Sequence, residues 1–234
     1  MIMKAKRFFF ILLFCPIFIF GQTWDYPVKP GTEEWKNLKS GVEKLQSCQI
    51  PENVLKKISS LELAKLCVTY PLFYEYTAFN DEREAVSIMI EKFNGLKELS
   101  SRKDGAAALI KIYSQMKIQE KEGYVEKGKH SSVLNFEYIE LLLSNDKFLN
   151  QLSLKEQEEL RKLTIEKYGE KLKHIDIYGI DGIKKSLLLT SIIINKIEPN
   201  NKNNQQIKDF IKNYNFIDSK ELENISKINV QHEK

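Results

Sequence analysis

The chain has 234 residues, of which 42% are hydrophobic and 29% charged, and a formal net charge of +4. That balance excludes wholesale disorder and a multi-span membrane protein, and the length suits one domain or two small ones. Ten glycines and six prolines are few for such a chain, which disfavours a turn-rich all-β sandwich and suits long helices.

Lys4, Lys6 and Arg7 precede an apolar run from Phe8 to Phe20, and small Gly21 follows. A bilayer-spanning helix needs about 20 apolar residues, so this run is short for an anchor. The layout is that of a cleavable secretory signal peptide over residues 1–21. An uncleaved anchor and a lipoprotein site at Cys15 are the alternatives, the second opposed by bulky Phe14. The segment carries three of the 36 basic residues and no acid, leaving 33 basic against 32 acidic residues, a net charge of +1. A nucleic-acid surface needs a basic excess, and none remains. The expectation is therefore a periplasmic or extracellular protein with no nucleic-acid partner and no stable membrane span after cleavage.

The next stretch, 22–118, reads as an N-terminal helical subdomain. Gln22 to Gly31 holds Trp24, Tyr26, Pro27 and Pro30, and is extended and stiff. Thr32 caps a helix with Glu33 and Glu34 in its first turn. Trp35, Leu38, Val42 and Leu45 continue that helix as one stripe. Pro51 opens the next, with Val54, Leu55 and Ile58. Ser59 and Glu62 form a capping box ahead of the stripe Leu63, Leu66, Cys67 and Tyr70, which Pro71 interrupts. After a bend at Phe79-Asn80-Asp81, Val86, Met89, Ile90 and Phe93 line one face, and Asn94-Gly95 provides a stop. Leu109, Ile112, Tyr113 and Met116 line another.

Residues 119–132 are polar and aperiodic, and are expected to be an exposed loop or hinge. A C-terminal helical subdomain, 133–234, follows and is expected to pack as one unit with the first. Phe136, Ile139, Leu142 and Leu143 form its first stripe, and Ser153 with Glu156 makes a second capping box before Leu160, Leu163 and Tyr168. Ile183 to Ile197 is apolar almost all round, as in a helix surrounded by others, or else a buried strand. Pro199 to Asn204 is a loop, and two amphipathic helices end the chain, one with Ile207, Phe210, Ile211 and Tyr214, the other with Leu222, Ile225 and Ile228. The fold class is all-α, an irregular helical array or a short α-solenoid, although no strict repeat period is present.

Chemistry is sparse. His130, His174 and His232 are scattered and form no metal framework, so no metal or cofactor is expected. Three SxxK strings, at Ser100, Ser114 and Ser144, lack the accompanying motifs of penicillin-binding enzymes, and no GxSxG elbow occurs. Glu33-Glu34, Asp81-Glu82 and Glu158-Glu159 read as solvated charge, and Asp181 as a helix cap. No catalytic residue is assigned. Cys48 and Cys67 are a candidate disulfide, because two helices packed antiparallel about Ile58-Ser59-Ser60 would bring them level. Such a bridge would close a loop of about 20 residues and contribute roughly 3 kcal/mol; two buried free thiols are the alternative. Trp24 and Tyr26 either plug the helical array or form a docking strip for a partner.

The residues from Trp24 through Trp35, then Cys48-Gln49-Ile50-Pro51, Cys67, Tyr70-Pro71-Leu72, Ala78-Phe79-Asn80, Phe93-Asn94-Gly95 and Arg102-Lys103-Asp104, carry a resemblance. Across about residues 24–113 the chain resembles a family of uncharacterised exported bacterial proteins. The resemblance implies export and a helical domain, and implies no activity. The function expected on these grounds is a non-catalytic interaction or binding module whose partner is another protein or an envelope component. A hydrolase with a carboxylate site hidden from the sequence is the alternative.

Overall fold

The computed structural model describes residues 24–118, 132–200 and 202–231. The fold is all-α, with no strand among the described residues. Residues 1–21, read above as a signal segment, His130, His232 and the 119–131 stretch lie outside them.

The chain enters as an extended strap and turns into α1 (Glu33–Asn37), where the Thr32 side chain accepts from the Trp35 amide. The expected continuous helix to Leu45 is broken here. Ser40 accepts from the Glu43 amide and opens a separate helix, α2 (Gly41–Ser47). A local cap thus overrides the apolar spacing, and Val42, assigned to the stripe, is 64% exposed. Pro51 is the N-cap of α3 (Glu52–Leu55). The Ser59–Glu62 capping box is formed and starts α4 (Ser60–Val68), which buries Leu63, Ala64, Leu66 and Cys67.

A 3-10 turn, Phe73–Ala78, leads to α5 (Glu82–Lys92), capped by Asp81. Helix α6 (Asn94–Ser101) follows at once. Asn94-Gly95 is therefore not only a stop but the first turn of a new helix. The Asn94 side chain explains this: its Oδ1 accepts from the Ile50 amide at 2.9 Å and its Nδ2 donates to the Ile50 carbonyl at 2.7 Å. A Cβ on Gly95 would fall 2.4 Å from the Phe93 ring, so the turn requires glycine for close approach. Gly105 opens α7 (Gly105–Gln115) against the Leu99 carbonyl, 2.1 Å from where its Cβ would stand.

Helix α8 (Ser132–Ser144) is the axis of the molecule. Every residue from Phe136 to Leu143 is buried, and α8 packs against α4, α5 and α7 as well as later helices. After α9 (Asp146–Leu149), a second formed capping box, Ser153 with Glu156, starts the 20-residue α10 (Leu154–Lys173). The apolar stretch beyond it is helix, not strand: α11 (Ile175–Ile197) lies between α8, α10 and the terminal helices α12 (Asn204–Asn213) and α13 (Ser219–Gln231). Gly179 interrupts α11 at φ 62° and ψ −178°, backbone that L side chains rarely adopt. One continuous buried cluster runs from Tyr26 to Ile228. Contacts therefore join elements far apart in sequence around α8 and α11, unlike a one-dimensional stack of repeats.

Candidate functional site

The sequence places two glutamates, Glu137 and Glu140, three residues apart in the otherwise apolar middle of α8. Spacing of three puts them on one helix face, the face toward α10 and α11. Each glutamate meets a lysine there. Lys171 of α10 donates to both carboxylate oxygens of Glu140 at 2.8 Å, and neither side chain is exposed at all. Tyr113 and Ser186 also donate to Glu140 Oε1, at 2.7 and 2.9 Å. The lysine also donates to the Gly182 carbonyl and the Ser186 hydroxyl, and lies over the Phe136 and Tyr178 rings. This pair is charge-matched and hydrogen-bonded on every side, the condition under which a buried ion pair is tolerated.

The second cluster is less balanced. Lys185 of α11 lies 2.9 Å from Glu137 and 3.0 Å from Glu82, one cation between two carboxylates. Burial alone would lower the lysine's pKa, but the two carboxylates outweigh it and hold the pKa above the ordinary value. Burial raises the Glu137 carboxyl, against Lys185, with Glu82 adding to the rise. Tyr76 Oη donates to Glu137 at 3.3 Å. A raised carboxyl beside a lysine has the raw material of acid–base chemistry. Access is restricted: the Lys185 and Glu137 side chains are 2% and 8% exposed, only Glu82, at 21%, reaches the surface, and none of the three lines the surface openings at α5 and α12–α13.

Those openings are on α5 and at the C-terminal helices. A cleft of about 330 Å³ is lined by Arg83 and Ser87 of α5, Ser144 and Asn145 at the α8–α9 junction, and Asn195 and Lys196 of α11. A second, of about 450 Å³, continues along α5 past Ser87, Ile88, Glu91 and Lys147. The two share Ser87 and Asn145, whose side chains hydrogen-bond at 3.1 Å, and together form a trough. Its walls carry the ion pairs Lys147–Glu91 and Lys196–Asp146, and Leu141, Ile192 and Ile211 contribute aliphatic surface. Arg83 is held at its head by Asp81 and by the Ile211 carbonyl. A third opening of about 200 Å³ lies between α12 and α13.

The residues singled out in the sequence are not drawn together at these openings. Cys48 and Cys67 are free, fully buried thiols, so the expected bridge is replaced by its alternative. Burial pushes the Cys48 thiol up to about 11 and the Cys67 thiol well up. Tyr26 is in the core, its hydroxyl donating to the Leu66 carbonyl at 2.9 Å, and it cannot serve in a docking strip. Trp24 is half-buried edge-on against it, as a plug would be. The acidic pairs read as solvated divide. Glu33 and Glu34 are exposed, whereas Asp81 caps α5, Glu82 pairs with buried Lys185, and Glu158 with buried Arg161. Asp181 is exposed beside the Gly179 kink. His174 joins α10 to α11, and among the described residues no group of side chains could hold a metal ion.

Sequence reasoning missed Glu137, Glu140, Lys171 and Lys185, since a charged residue is by default assigned to water. A usable signal was present: six of the eight residues from Phe136 to Leu143 are apolar and go all round a helix, so a charge among them needs a partner. Comparison with family models, with curated proteins and with solved structures gave no match. No described helix is long and apolar enough to cross a membrane.

Proposed function

We propose that this chain is an exported, non-catalytic helical binding module whose partner, another protein or an envelope component, lies along the trough between α5, α9 and α11. The observation that carries the reading is the separation of charge chemistry from access. The displaced carboxyl of Glu137 is sealed in the core, while the trough offers amides, hydroxyls and paired ions over aliphatic surface. Mixed-sign walls suit a hydrophilic, near-neutral segment better than a polyanion. Export is supported by the basic and apolar leader and by the resemblance over residues 24–113.

Cys48 and Cys67 are buried, so in protein lacking residues 1–21 a cysteine at Ile88, in the trough, can be labelled selectively with a photo-cross-linker. Exposed to the envelope fraction, that probe is expected to give one discrete adduct, weakened by Asn145→Ala. The same probe at Val42 should give none. Absence of an adduct, together with turnover in a hydrolase screen, overturns the reading in favour of an enzyme.

A further inference from the structure

The 3-10 turn Tyr214–Phe216 joins α12 to α13, and Phe216 on it is 89% exposed, more than any other large apolar side chain described. Its neighbours Tyr214 and Ile217 turn inward, Tyr214 into the core and Ile217 into the opening between the two helices. That opening has an apolar floor of Phe210, Ile225 and Ile228 and holds about 200 Å³, room for an aromatic side chain. An exposed aromatic knob is thus linked directly, through Ile217, to an apolar-floored hole.

The charges around them match as well. Lys212 and Lys220, each four residues from Phe216, are exposed, and neither forms an ion pair among the described residues. Asp209 and Glu221 line the hole, one from each helix. The segment that bears the knob is thus flanked by two lysines, and the hole carries two carboxylates. A two-fold axis needs one surface that is complementary to itself, and a lysine-flanked aromatic next to an acidic, apolar-floored hole offers one. Adjacent Lys220 and Glu221 would then pair reciprocally across the axis.

We infer that the α12–α13 face is the site of self-association, with Phe216 of each copy seated in the other copy's groove. A small peptide or an apolar cation in the same groove is the competing occupant.

Sedimentation velocity across a concentration series tests this. The protein is expected to show a concentration-dependent dimer. Phe216→Ala should weaken it at least about tenfold, as burial of one aromatic side chain implies, and Phe216→Glu should leave only monomer. Because Phe216 is exposed, thermal melting of both variants should match the parent. Glu221→Lys should weaken the dimer, and Lys220→Glu/Glu221→Lys should restore it. A protein that stays monomeric at several hundred micromolar overturns the inference. So does a dimer indifferent to Phe216→Glu, or a monomer whose groove takes a lysine-flanked apolar peptide.

Discussion

Glu140 and Lys171 are paired where water does not reach, and each also has uncharged partners. Removing one member leaves the other as an unpaired charge in the core, which costs about 3–5 kcal/mol. Lys171→Met is therefore expected to lose that much in urea unfolding. Glu140→Leu/Lys171→Met should recover most of it, because it takes both charges out of the core together. A double variant no better than the single one would show that the pair contributes by packing alone. The thiols give a second residue-scale expectation. With burial lifting both above ordinary cysteine, native protein at pH 8 should be alkylated orders of magnitude more slowly than unfolded protein. Mass spectrometry should find both Cys48 and Cys67 alkylated after unfolding without reductant. The buried charges also mark where signals in the sequence conflict. Lys171 lies on the buried stripe of α10, seven residues after Thr164 and three after Tyr168, while Lys173 lies off it and is exposed. The spacing marked the position; the residue type argued against burial, and only the partner Glu140 accounts for it.

Among the elements, what was legible depended on whether local chemistry and apolar spacing agreed. At Ser59 and Ser153 the capping box, the acidic first turn and the buried stripe coincide, and both helices start where the sequence places them. Between Asn37 and Ser40 they conflict, and the cap prevails, splitting the expected helix in two. Asn94-Gly95 misleads for another reason: the usual stop signal is occupied by a long-range contact to Ile50. Two substitutions probe this level. Ser153→Ala removes the capping box of α10 and should cost about 1 kcal/mol. Gly179→Ala forces a Cβ into left-handed backbone with open space around it. It should cost roughly 1–3 kcal/mol through backbone strain alone, and a crystal structure of the variant should show the kink reshaped rather than neighbours displaced.

At the scale of the molecule, the core is rich in tyrosine hydroxyls that burial holds un-ionised. Tyr113, Tyr138 and Tyr214 all have pKa values well above the ordinary one, burial being the leading cause. Unfolded tyrosine ionises near pH 10. Above that pH the unfolded chain releases protons the folded chain retains, so stability is full below about pH 10 and falls as pH rises further. Lys185, raised by its two carboxylates, adds a loss in the same direction above the ordinary lysine range. The melting temperature should therefore drop steeply between about pH 10 and 12. Tyrosinate absorbance should rise with unfolding rather than before it. An early rise without unfolding would mean that these hydroxyls reach solvent.

The same division between a sealed core and an open surface underlies the functional reading. If the buried charges hold the fold and the trough does the binding, they should be separable. The decisive measurement is the cross-linking yield of a probe at Ile88, in the otherwise unaltered protein and in Glu140→Leu/Lys171→Met. Equal yields of the same envelope adduct from two folded proteins are predicted. An adduct lost from a folded double variant would place the working chemistry in the core and contradict the account.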